Sequence, residues 1–224
     1  ILISITVDAE RTLAVRPREA AYSAVKRRII LNELQPGITL TELGLARELG
    51  CSQGTVREAL LRLQEDGLVI RSGHRGTTVT PLAPEEADEI LALRRRIEMR
   101  GAVRAAAAVT DAALAQLRAL QDEMERAAGA GDQYQLIELD TEFHLFIFRL
   151  AGLQALEQIL VRCILHSHRQ KLWEPRHRRP LLETARRHRP IYERLAARDG
   201  SGLAEALGHH IDTIVDISSE RQSA

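Results

Sequence analysis

Apolar positions in the first third of the chain follow two helical periods and then a strand period. Leu45, Ala46 and Leu49 share one helical face, and Val56, Ala59, Leu60 and Leu63 recur at i, i+3, i+4 and i+7. Between the two runs stands Leu49-Gly50-Cys51-Ser52. Gly50 suits the left-handed residue that ends a helix, and Ser52, like Thr41 before the first run, offers a hydroxyl to cap the next. After Gly67, which stops the second helix, Leu68-Val69-Ile70 and Thr77-Thr78-Val79-Thr80 read as paired strands, with Ser72 to Gly76 as the turn between them. An upstream helix with Tyr22, Val25, Ile29 and Ile30 facing inward completes a small core. Two short helices, a tight turn and a glycine-punctuated hairpin predict a winged helix-turn-helix over residues 19–81.

Beyond Pro81 the strand pattern disappears, and Ala, Leu, Arg and Glu dominate. Leu82-Ala83-Pro84-Glu85-Glu86 reads as a hinge, with Pro84 at a first helical position. Six helices are expected, over about 84–108, 111–128, 132–151, 153–173, 181–198 and 201–221, with Asp111 as a candidate cap for the second. Gly129-Ala130-Gly131, Gly152, the Pro175–Pro180 loop and Gly200-Ser201-Gly202 separate them. Connections this short favour antiparallel neighbours. The expected fold is mainly α: the winged module, then an all-α bundle of about six helices over residues 82–222. Residues 1–18 are expected to form an N-terminal tail, in which Ile1 to Val7 alternates like an edge strand. No basic region followed by a long apolar segment marks a signal peptide.

Composition narrows the function. Lys plus Arg and Asp plus Glu both number 31, so any DNA affinity must come from a local patch and from the addition of phosphate contacts in a dimer. The module supplies Lys26, Arg27, Arg28, Arg47, Arg57, Arg62, Arg71 and Arg75 against Glu33, Glu42, Glu48, Glu58, Glu65 and Asp66, and its DNA-facing end is the N-terminal part of the second helix. Ser52, Gln53, Gly54, Thr55 and Arg57 would face base edges and phosphates, joined by Gly73, His74, Arg75 and Gly76 at the hairpin tip. The plainer alternatives are an Arg57 ion pair with Glu58 or Asp66 and a merely solvated tip. Cys51 and Cys163 fit no disulfide or metal framework and read as reduced thiols of a cytoplasmic protein. No apolar run reaches membrane-spanning length.

One constellation in the bundle carries chemistry. Asp140 and His144 are four apart on one helical face, His188 lies on the fifth expected helix and His210 on the sixth. One carboxylate with three imidazoles is an ordinary set for Zn²⁺ or another divalent transition metal. Spacing alone leaves singly hydrogen-bonded core histidines as the simpler reading. His166 and His168 are two apart and point in different directions, which disfavours a chelating pair there, and His209 must face away from His210.

The residues then show a family likeness. In the module the matching residues are Leu34-Gln35-Pro36-Gly37, Leu49-Gly50-Cys51-Ser52, Val56-Arg57-Glu58-Ala59-Leu60, Leu63, Gly67-Leu68-Val69 and Arg75-Gly76. In the bundle they are Leu93-Arg94 with Glu98, Asp140-Thr141-Glu142-Phe143-His144, Ala151-Gly152, His188-Arg189-Pro190-Ile191 and His210-Ile211. Over about residues 20–217 the chain resembles the GntR family of bacterial transcription regulators, in its FadR-like branch with an FCD-type ligand-binding domain. The resemblance implies a homodimer on a short palindromic double-stranded operator, acting as a repressor rather than an enzyme. It implies a small carboxylate effector in the bundle, and Asp140, His144, His188 and His210 as ligands of a divalent metal. Zn is the first expectation, with Ni, Mn or Fe as alternatives. Arg94 is the expected effector partner, with an i, i+4 ion pair to Glu98 as its alternative role. Trp173 is a candidate for the cavity wall.

The chain departs from the family where Gln53-Gly54-Thr55 replaces the common Arg-Thr-Pro. That substitution removes a phosphate or guanine contact and offers adenine a glutamine. Leu153 replaces a usual asparagine, and Arg187 puts positive charge next to His188. Two other functions stay open: a regulator for which the metal itself is the signal, and a metal-dependent hydrolase or lyase with Glu142 as base, although Glu142 lies off the ligand face.

Overall fold

The computed structural model describes residues 3–71, 76–174 and 179–215, with residues 3–16 described by backbone only. The chain divides into two compact units, Ile1–Pro81 and Leu82–Ala224.

The first unit contains α1 (Ile3–Ile30), β1 (Thr39–Leu40), α2 (Glu42–Leu49), α3 (Gln53–Glu65), β2 (Val69–Arg71) and β3 (Thr77–Val79). Where a tail is expected at 1–18, the backbone from Ile3 onward belongs to α1. Ala9, Glu10, Arg11, Leu13 and Ala14 are strong helix formers and override the alternating start. The turn between α2 and α3 follows from three residues. Thr41 Oγ1 accepts from Gly44 N–H, Gly50 is left-handed at φ 63°, and Ser52 Oγ accepts from Thr55 N–H. β3 pairs antiparallel with both β1 and β2, and Ile70 lies opposite Thr78. The sequence pattern did not signal β1, only two residues long.

Val25, Ile29 and Ile30 of α1, Val56, Leu60 and Leu63 of α3, and Leu68 and Val79 are all buried. Each such side chain contributes roughly 1.5–3 kcal/mol relative to exposure. Tyr22 donates to Asp66 Oδ2 at 2.5 Å, which ties α1 to the C-cap of α3.

The second unit contains α4 (Pro84–Ala108), α5 (Asp111–Gly129), α6 (Gln133–Leu150), a 3-10 turn (Gln154–Leu156), α7 (Glu157–Trp173), α8 (Leu181–Arg186), α9 (Arg189–Ala196) and α10 (Gly200–Asp212). Thr110, not Asp111, caps α5, because its hydroxyl reaches Ala113 N–H. The helix expected over 181–198 is two helices. Pro190 has no N–H to give the Arg186 carbonyl, so the chain breaks at Arg187-His188 and restarts with His188 as the N-cap. α4 packs against α10, α6 and α7, and α5 packs against α6 and α8. Gly101 permits the close approach of α4 to α6, since a Cβ there would lie 3.3 Å from Ala151 Cβ and 3.4 Å from Phe148 Cδ2. The core is built from Ala102, Ala105, Leu117, Met124, Phe143, Ile191, Leu195 and Leu207.

Candidate metal centre and nucleic-acid interface

The elements of the bundle bring the four expected ligands together. Asp140 and His144 project from one face of α6, His188 comes from the break between α8 and α9, and His210 comes from α10. All four are buried, and one ligand atom from each lies within 4.8 Å of the other three. His188 Nε2 is 3.0 Å from Asp140 Oδ1, and His144 Nε2 is 3.3 Å from His210 Nε2.

Hydrogen bonds at the outer ring nitrogens fix what the inner ones offer. A carbonyl oxygen only accepts, so His188 Nδ1, 3.1 Å from Ala185 O, carries the proton and leaves Nε2 as a lone pair. His144 Nδ1 lies 2.6 Å from Glu98 Oε2, which likewise turns a bare Nε2 into the site. His188 Nε2 and His210 Nδ1 are buried without a hydrogen-bond partner. Two imidazole lone pairs beside a carboxylate, with the His210 ring 3.3 Å from one of them, are a donor set for a cation, and the residues present fit a divalent metal.

The electrostatics agree. Burial pushes the Asp140 pKa upward, but His168, bonded to its Oδ2, holds it well below the usual carboxylate range. Burial lowers His188 and, more strongly, His210, where the neighbouring His188 and His144 add to the effect. These rings are therefore neutral and able to ligate at neutral pH.

Beneath the cluster lies a second layer. Glu98 on α4 is 4% exposed, accepts Arg94 Nε–H at 2.6 Å on its other oxygen, and is held at about 2 by His144 and Arg94 despite burial. Arg94 is fully buried, and its Nη1 and Nη2 have no hydrogen-bond partner. Its two expected roles are compatible, because Glu98 occupies Nε and both outer nitrogens remain for a ligand. His168 of α7 bonds Asp140 Oδ2 at 3.0 Å. Pairing His168 only with His166 on its own helix hides this role. His166 meets Arg169 instead, at 3.1 Å.

Arg187 does not reach the ligand atoms. It donates to His210 O at 2.8 Å and also bonds Thr213 Oγ1, so it clamps the end of α10 while its charge helps to lower His210. Glu142 is half-exposed and bonded to Arg149 at 2.8 Å, which takes it away from general-base work at the cluster. His209 is exposed, and Trp173 stacks under the Arg169 guanidinium at 4.5 Å. A small cavity of about 50 Å³ adjoins Asp140 and His168, and Lys171, Arg179 and Thr184 also line it.

In the first unit, Gln53, Gly54 and Arg57 are exposed on α3, and the Thr55 hydroxyl bonds the capping Ser52 at 2.9 Å. Arg57 pairs with neither Glu58 nor Asp66. Glu42 at the start of α2 accepts from it at 2.8–3.1 Å and from Arg71 at 3.3 Å. Glu58 pairs with Arg18. Gly76 is exposed at φ 84°, while Gly73, His74 and Arg75 lie outside the described residues.

A winged helix-turn-helix and a helical domain with a buried His/Asp cluster are the two parts of a DNA-binding transcription regulator. The comparisons agree. Residues 17–79 match the family of bacterial regulatory proteins called gntR, and residues 89–213 match the FCD domain. The chain belongs to the GntR family and carries an FCD domain; it is a transcription regulator, not an enzyme.

Among its relatives is the HTH-type transcriptional regulator McbR of Escherichia coli (strain K12), 28% identical over 187 residues that cover 82% of this chain and 84% of that one. The probable D-xylose utilization operon transcriptional repressor of Paenarthrobacter nicotinovorans is 31% identical over 82% of this chain and 80% of its own. The solved structure of E. coli McbR/YncC superposes with a TM-score of 0.72 at 25% identity, covering 88% of this chain and 93% of that one. Among the described residues no helix is long and apolar enough to cross a membrane.

Proposed function

We propose that this regulator is a repressor whose hold on its operator is set by a small carboxylate bound beside a divalent metal in the helical domain. The observation that carries the reading is the convergence of Asp140, His144, His188 and His210 with lone pairs turned inward. Arg94, buried with two unspent nitrogens, supplies the directional partner for a carboxylate. When bound, the metal supplies a Lewis-acidic position for a carboxylate oxygen, and a donor set of three nitrogens and one oxygen suits Zn, with Ni, Mn or Fe as alternatives. The repressor reading is supported by two relatives that carry that word in their names.

In the module, Ser52, Gln53, Gly54, Thr55, Arg57 and the hairpin tip from Gly73 to Gly76 form the DNA-contacting surface. A homodimer presents two such surfaces to a palindrome, in the cytoplasm. The proposed domain extents are a winged module to residue 81 and a sensory bundle over 82–222.

The test is elemental analysis with operator binding. The wild-type protein should hold about one divalent metal per chain, and the His188→Ala/His210→Ala double variant should hold none. A panel of small carboxylates should change operator affinity only for the metal-loaded form. Stoichiometric metal in the double variant would remove this ligand set, and release of DNA by metal alone would make the metal the signal.

A further inference from the structure

We propose that a second acidic group of the effector is held by Lys171 and Thr184 in the cavity beside Asp140 and His168, which makes the effector a compact diacid. The inference rests on the reading of the bundle as a metal-assisted carboxylate receptor.

The cavity measures about 50 Å³, room for a few waters or one carboxylate head. Its polar lining consists of Gln133, Asp140, His168, Lys171, Arg179 and Thr184. Lys171 is nine-tenths buried, and its one hydrogen bond among the described residues is a long contact of 3.4 Å to Thr184 Oγ1. An ammonium group has three N–H donors, so two remain for whatever enters the cavity. Burial lowers Lys171 to about 8, which leaves it mostly charged at neutral pH.

Among the described residues no carboxylate hydrogen-bonds Lys171, although the Asp140 charge favours its protonated form. Asp140, the buried acid in the same wall, is already engaged by His168 at 3.0 Å and lies 3.0 Å from His188. A buried ammonium whose N–H donors lack acceptors is costly. A side chain needed only for packing would be apolar, so the ammonium marks the place of an anion that arrives with the ligand.

Asp140 also fixes the scale. Its Oδ1 belongs to the metal cluster, and its Oδ2 meets His168 on the cavity wall. The two binding places share that one side chain as a partition. A molecule with one acidic group on the metal and another on Lys171 therefore needs only a short spacer. Thr184 on α8 adds a hydroxyl donor for the same group.

The test is calorimetric titration of the full-length, zinc-loaded protein with matched probes: succinate against butyrate, and malate against lactate. The wild-type protein should bind each diacid about tenfold or more tighter than its monoacid, the worth of a charge-assisted bond to a buried cation. Lys171→Met should erase that preference and leave monoacid affinity and zinc stoichiometry unchanged. Thr184→Val should weaken diacid binding by a smaller factor. Circular dichroism checks folding, and Lys171→Gln serves as a second variant that keeps a polar tip.

Equal binding of diacid and monoacid by the wild type, or a preference that survives in both Lys171 variants, would overturn the inference. In those cases the monoacid still binds, and the carboxylate-receptor reading stands. If neither class of acid binds the zinc-loaded wild type, that reading falls and takes this one with it.

Discussion

Replacing Glu98 by Gln tests whether the carboxylate under the histidines orients them. Glu98 accepts from two buried donors, Arg94 Nε–H and His144 Nδ1–H, each at 2.6 Å and on separate oxygens. A carboxamide keeps one acceptor oxygen and places N–H groups where the other stood. One of the two donors then faces another donor, and the fully buried Arg94 loses its ion-pair partner among the described residues.

Two routes give the size of the loss. Removing one member of a buried ion pair costs about 3–5 kcal/mol. The displacement of Glu98 from 4.5 to about 2 corresponds to about 3 kcal/mol favouring its charged form. Both apply without solvent screening, since the group is buried. Loss of the orienting partner of a metal-binding histidine lowers metal affinity by about 10–100-fold. Urea unfolding of the metal-free protein measures the first effect, and competition with a chromophoric chelator measures the second. An E98Q protein as stable as wild type, with undiminished hold on its metal, would refute both the charge assignment and the orienting role. Lost stability with unchanged metal affinity would confine Glu98 to balancing Arg94.

Arg57→Ala should weaken operator binding across sequences and reduce the slope of log affinity against log salt by about 0.9, one phosphate contact. An unchanged slope in titrations at several salt concentrations would take Arg57 off the DNA and leave it to Glu42. The metal-free protein should lose stability on acidification below about pH 6.5. His168, His188 and His210 all titrate below their ordinary 6.5 in the folded chain. Below that pH the unfolded chain therefore binds more protons than the native one, and stability falls as pH falls. Urea midpoints at pH 7.5, 6.5 and 5.5 check the sign; a midpoint that rises on acidification would mean that the rings are charged in the native state.

The parts of this fold that are legible in sequence are those fixed by neighbours along the chain. Thr41, Gly50 and Ser52 act within three or four residues, and so the helix-turn-helix could be read directly. Pro190 breaks the helix expected over 181–198 by the same kind of local rule, one that a single helix there disregards. Spacing also places Asp140 and His144 on one face, but it cannot say that His188 and His210 arrive opposite them; that expectation came from the family pattern. His168 and Lys171 were out of reach for the same reason. On α7 they look like an ordinary polar stretch, and their partners, Asp140 and Thr184, are supplied by α6 and α8. Arg57 shows the converse: a candidate DNA contact whose resting partner, Glu42, is fifteen residues away and invisible to any helical spacing rule.

The geometry bears on whether the metal is a signal or a fixture. The cluster gathers Arg94 and Glu98 from α4, Asp140 and His144 from α6, His168 from α7, His188 from the α8–α9 break and His210 from α10. Without a cation, His144 Nε2 and His210 Nε2 stand 3.3 Å apart, and His188 Nε2 lies beside a carboxylate without a hydrogen bond. The two Nε2 atoms can share one proton between them, but His188 Nε2 and His210 Nδ1 stay without a partner. A divalent ion turns the same lone pairs into bonds, so its binding energy is also folding energy for the bundle. A metal bound there would complete the core and be retained, whereas a signal must come and go. Arg94 and Lys171, by contrast, are buried cations with unspent donors that the metal cannot satisfy. On the proposed reading, the metal belongs to the receptor and the variable input is an anion.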